Sequence, residues 1–101
     1  DYTYIDDFTL GFLSALDQKF GYEIFNLGNS QTVSLADALE IVARITGKEL
    51  KIVREKMQPG DVNLTNANIE KARLKLGYDP KTSFAEGMDK FYQWYRANIV
   101  S

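Results

Sequence analysis

Tyr22-Glu23-Ile24-Phe25-Asn26-Leu27, followed by Gly28-Asn29-Ser30, is the stretch on which the fold turns. Ile24, Phe25 and Leu27 form a nearly continuous apolar run, the pattern of a strand buried on both faces of a parallel sheet. Asn29 and Ser30 make the loop that follows. Ser34 and Asp37 then form an S-x-x-D variant of the capping box. The helix behind it carries Leu35, Ala38, Leu39, Ile41, Val42 and Ile45 on a wide apolar face, and Gly47 is well placed as its C′ residue. Strand, loop and helix in that order are the unit of an α/β fold. Asn26 and Asn29 stand where ligands often bind in such folds, and they suit plain loop formation equally well.

Working outward, residues 2–5 are rich in β-formers and predict a short strand. Asp6 or Asp7 is then an N-cap for a helix reaching about Gln18, and Ile5, Phe8, Phe12 and Leu16 fall on one side of it. Capping explains this aspartate pair better than acid/base catalysis or Mg²⁺ binding. Downstream, residues 50–54 read as another strand. Asn68 caps a short helix through Leu76, stopped by Gly77, and Pro80 marks a loop. Ser83 with Glu86 is a capping box for the last helix. Its stripe of Phe84, Met88, Phe91, Tyr92 and Tyr95 has core spacing, with Trp94 on the flank. The expected fold is α/β or α+β and helix-rich, with about four helices and two or three short strands.

A chain of 101 residues allows one compact domain, residues 1–101. The net charge of −2 gives no electrostatic case for nucleic acid or an anionic membrane. The chain has no Cys and no His, which excludes disulfides, Cys/His zinc sites, thiol nucleophiles and any His-based triad. No apolar run approaches a membrane span, and a cytoplasmic setting is the expectation.

Met57-Gln58-Pro59-Gly60-Asp61-Val62 is the stretch that points to chemistry. Pro59 sets φ for the second position of a tight turn, and Gly60 accepts the positive φ that a type II turn needs next. Gln58 and Asp61 therefore flank a reverse turn, with Lys51, Arg54 and Lys56 just upstream. An amide, a carboxylate and nearby cations suit a hydroxylated, phosphorylated ligand. An ordinary surface turn has the same local signature.

The order of motifs extends this reading. Asp1-Tyr2-Thr3-Tyr4-Ile5-Asp6-Asp7, Phe25-Asn26-Leu27-Gly28-Asn29-Ser30, Ser34-Leu35, the Pro-Gly turn, Lys71-Ala72-Arg73 with Leu76-Gly77-Tyr78, and Trp94-Tyr95-Arg96 follow one another. The series resembles the C-terminal part of NAD-dependent sugar-nucleotide epimerases and dehydratases of the extended short-chain dehydrogenase/reductase family. The Met-Gln-Pro-Gly-Asp-Val form is most like the UDP-glucuronate 4-epimerase branch. The resemblance implies that the chain is the substrate-binding segment of a longer, extended Rossmann-type enzyme. It implies that Asp61 binds the ribose hydroxyls of the uridine, a role a carboxylate suits by accepting from a cis diol. Many relatives have Arg where Gln58 stands, directed at the diphosphate. Gln58 brings no charge, so Arg54 or Lys56 would have to supply it, unless they are solvated strand-end charges. Thr65 matches the position that lines the sugar pocket, and it also reads as a β-branched loop residue.

The family's remaining chemistry is missing. No glycine spacing matches the dinucleotide-binding turn, and none of the six tyrosines has a lysine four residues on. NAD is therefore expected in the nucleotide-binding half of the parent. No cofactor and no catalytic residue are expected in this chain, which alone should be inactive. Its expected partner is the UDP-sugar of the parent enzyme, and the isolated segment should form homo-oligomers. A nucleotide-sugar dehydratase is the alternative within the family. An independent helical module that binds a protein and no nucleotide is the alternative outside it.

Overall fold

The computed structural model describes residues 1–99. They hold four helices: α1 (Ile5–Leu16), α2 (Leu35–Thr46), α3 (Glu70–Leu76) and α4 (Phe84–Asn98). The expected α/β or α+β class is wrong. Among the described residues there is no strand, and the fold is helical. A strand exists only through a ladder to a neighbour, so β-forming side chains without a pairing partner leave irregular backbone. Residues 22–27 show what replaces the ladder. Lys71 Nζ donates to the Ile24 carbonyl at 2.9 Å, and Asn26 Nδ2 donates to the Asn68 carbonyl at 3.4 Å. The expected strands at 2–5 and 50–54 are absent too, and Ile5 opens α1 instead.

The helix signals read from the sequence act where they were placed, with three changes: at α3 the cap position falls to Ile69, one residue after the expected Asn68, and the other two are at α4 and α1. Ser34 Oγ accepts from the Asp37 N–H at 3.1 Å, and Gly47 ends α2 at φ 66°. Asn68 Oδ1 accepts from the Glu70 N–H at 3.1 Å, and Gly77 ends α3 at φ 67°. At α4, Ser83 Oγ accepts from the Glu86 N–H at 3.1 Å. It also donates to Glu86 Oε1 at 3.1 Å, so the glutamate returns to the serine hydroxyl rather than its backbone. At α1 the expected aspartate cap does not form: Tyr4 holds the cap position without a side-chain bond. Asp7 is buried, and its carboxylate accepts from the Thr82 N–H at 3.0 Å.

α1 also turns the other way from its apolar spacing. Ile5, Phe8, Phe12 and Leu16 are exposed, while Asp7 and Gly11 are buried. A Cβ at Gly11 would stand 2.7 Å from Tyr78 Cδ1 and 3.0 Å from Leu27 Cδ2. The inner face is built for close approach, and a large side chain has no room there.

α1 packs on α3, and α2 packs on α4. The tightest core is Ile69, Ala72, Leu76 and Tyr78, with Ala15, Phe20, Phe25, Leu27 and Ala67 against it. In the second pair, Val42 and Ile45 of α2 face Met88, Tyr92 and Tyr95 of α4. The α4 stripe is only half-sunk: Phe84, Met88 and Tyr92 are partly buried, while Phe91 and Trp94 remain exposed. Among the described residues no helix is long and apolar enough to cross a membrane.

Candidate functional site

Residues 51–66 form an exposed limb between α2 and α3. At its bend Gly60 has φ 91°, and the Asp61 N–H donates to the Gln58 carbonyl at 3.2 Å. These are the marks of a type II turn with Pro59 and Gly60 at its centre. Gln58 and Asp61 thus stand at its two ends, both exposed to solvent.

The other two candidates lie on different surfaces. Arg54 borders a groove of about 850 Å³ against α2, beside Leu39, Glu40 and Ala43. Thr65 borders a shallow depression of about 370 Å³ with Asp1, Asn26 and Asn68. Gln58 and Asp61 line neither. The structure therefore brings Gln58 and Asp61 together through the turn, and it separates Arg54 from Thr65.

Thr65 lies against Asp1. The backbone nitrogen of Asp1 lies 3.0 Å from the Thr65 carbonyl oxygen and 3.1 Å from its hydroxyl. The Asp1 carboxylate accepts three backbone N–H bonds, from Asn29 at 2.9 Å, Ser30 at 3.0 Å and Ala67 at 2.9 Å. Asn29 in turn donates through Nδ2 to the Thr82 carbonyl at 2.9 Å. Beneath this loop the buried Tyr78 hydroxyl donates to the Gly28 carbonyl at 2.6 Å. Burial, and then the charge of Asp7, push the Tyr78 phenol above its ordinary pKa. On the outer surface Glu23 pairs with Lys71 at 2.6 Å and Lys75 at 3.2 Å. Hydrogen bonds from Lys71 and then Lys75 hold its carboxyl below the usual range.

The sequence reading missed Asp1 and Tyr78 as anchors. Their partners lie 28 to 66 residues away for Asp1 and 50 for Tyr78, beyond any local spacing rule.

No protein-family model matches the chain. Comparison with individual proteins is more informative. Over 100 residues the chain is 37% identical to a UDP-glucuronate 4-epimerase of Thermodesulfobacterium geofontis, covering 98% of this chain and 31% of that protein. The crystal structure of Bacillus cereus UDP-glucuronic acid 4-epimerase in complex with UDP-glucuronic acid and NAD superimposes with a TM-score of 0.87 at 32% identity. That match covers 96% of this chain and 32% of the other. The chain is a homologue of part of a UDP-glucuronate 4-epimerase. An uncharacterized Methanocaldococcus jannaschii protein is 42% identical over 98 residues, covering 97% of this chain and 30% of that protein. The chain thus spans about 30% of the length of these curated relatives.

Proposed function

We propose that residues 1–101 form a single domain, the C-terminal substrate-binding segment of a longer NAD-dependent UDP-sugar 4-epimerase. The observation that carries the reading is the nearly end-to-end superposition on an epimerase structure that holds UDP-glucuronic acid. In this reading Asp61 takes the ribose hydroxyls and Gln58 donates to the diphosphate from the other end of the turn. Thr65 faces the sugar, and Arg54 supplies positive charge at the margin.

The chain's own residues do not fit NAD. None of the four helices opens from a glycine-rich turn: Tyr4, Ser34, Ile69 and Ser83 hold the cap positions. At α2 and α4 a serine hydroxyl accepts from one N–H of the first turn, that of Asp37 and of Glu86. The nicotinamide cofactor and the proton-transferring groups would belong to the other half of the polypeptide. This segment would bind and orient the UDP-sugar while the configuration at C4 is inverted.

Calorimetric titration of the full-length protein with UDP and UDP-glucuronate tests the assignment. Asp61→Ala should weaken both ligands by about 1.5–3 kcal/mol, the worth of a hydrogen bond to a charged group. The isolated chain should bind UDP weakly or not at all. Tight binding that survives the loss of Asp61 would remove the residue from the site.

A further inference from the structure

We propose that Asp1 is a positioning residue for the sugar end of the site, clamping the 28–30 loop to the 65–67 segment so that Thr65 and its neighbours keep their spacing. The inference rests on the nucleotide-sugar reading above and adds a residue to it. An ionised carboxylate only accepts hydrogen bonds, and here it accepts three from backbone that has no ladder or helix to satisfy it. Two of the three come from one loop and the third from a segment far along the chain. The carboxylate is thus the joint between them.

The loop it holds is over-determined in the way that sites are. Ser30 adopts φ 65°, the only positive φ outside glycine in the described residues. At Gly28 a Cβ would stand 2.5 Å from Ala67 Cβ and 3.1 Å from Asp1 Oδ2, so only glycine lets the two segments approach this closely. Tyr78 fixes the Gly28 carbonyl, and Asn29 is tied to Thr82. Beside the joint lies the shallow depression bordered by Asp1, Thr3, Asn26, Thr65, Asn66 and Asn68. Carboxamides and hydroxyls of this kind suit the hydroxyl groups of a pyranose. Asp61 is not among them, so disturbing the clamp should affect sugar recognition and leave uridine recognition intact.

The test compares Asp1→Asn, Asp1→Ala and Asp61→Ala in the full-length protein, with UDP and UDP-glucuronate titrated separately. Amide exchange at Asn29, Ser30 and Ala67 is followed in parallel. Asn keeps the size of Asp but replaces one acceptor with a donor, so at least one backbone bond is lost without a cavity, and it serves where Ala fails to fold. Asp1→Asn should speed exchange at those amides and weaken UDP-glucuronate about tenfold, while UDP changes less than about twofold. A folded Asn variant in which both ligands weaken equally, or neither does, overturns the proposal. If Asp61→Ala weakens both ligands in that same experiment, the site reading stands and only the clamp is lost. If Asp61→Ala changes neither ligand, the site reading fails and takes the proposal with it.

Discussion

Tyr78 shows how a single side chain ties pH to the fold. Its ring is core and its hydroxyl satisfies a buried carbonyl. Because its folded pKa is raised, the folded state holds the phenol proton more tightly than the unfolded chain does. That contribution is fully present below the ordinary tyrosine value of about 10 and is lost as pH rises through the raised one. Thermal melts from neutral to about pH 11 should show an alkaline fall in stability that is flatter in Tyr78→Phe. At neutral pH the same variant should cost about 1–3 kcal/mol, the penalty of orphaning the Gly28 carbonyl. Gly60 gives a second outcome at this scale. Valine there resists φ 91° at a strain of about 1–3 kcal/mol, although nothing stands near enough to clash with its Cβ. Few contacts hold the limb, so Gly60→Val should speed amide exchange at Asp61, and Gly60→Asn should do so less. Equal exchange in wild type and Val would mean that the type II geometry is wrong. Gly47, Gly60 and Gly77 were legible because chain neighbours determine a turn or a helix end. Asp1 and Asp7 were not, because the amides they accept from are distant in sequence.

Among the elements, α1 departs most from its sequence pattern. Its spacing marks one apolar side, and the structure buries the side with Asp7 and Gly11 instead. Ala at position 11 would normally help a helix by up to about 1 kcal/mol. Here the new methyl meets a ring already fixed by its own hydrogen bond, so Gly11→Ala should destabilise by about 1–3 kcal/mol in urea melts. A stabilised variant would show that α1 and Tyr78 stand further apart than described. The helix ends were readable because Ser34 and Ser83 act within three residues of themselves. The strands were misread for the opposite reason: composition reports the propensity of residues 22–27, but only a paired neighbour makes a ladder.

At the scale of the molecule, the chain is open. Its radius of gyration is 16.6 Å, where a compact domain of this length has about 13 Å. Its accessible surface is 8253 Å², where a folded monomer of this mass shows about 5,800 Å². Many large apolar side chains are exposed, and the outer side of α1 gathers Ile5, Phe8, Phe12, Leu13 and Leu16. Clustered exposed apolar side chains favour association. The isolated chain should therefore sediment as a dimer or larger species at raised concentration, and Phe8→Lys with Phe12→Lys should shift it toward monomer. A wild-type chain that stays monomeric at every concentration would refute this. The epimerase relationship was readable because the motifs keep their order along the chain, whereas the exposed side of α1 looked like core to any rule that counts spacing alone. The Asp1 clamp has a kinetic consequence. Its bonds close loops of 28, 29 and 66 residues, whereas the helix caps close turns of three. Chain-closure entropy makes such long-range contacts costlier to form than the local caps. If the clamp closes after the rate-limiting step, Asp1→Asn should raise the unfolding rate and leave the folding rate unchanged in stopped-flow refolding, and a slower refolding phase would place the clamp in the transition state instead.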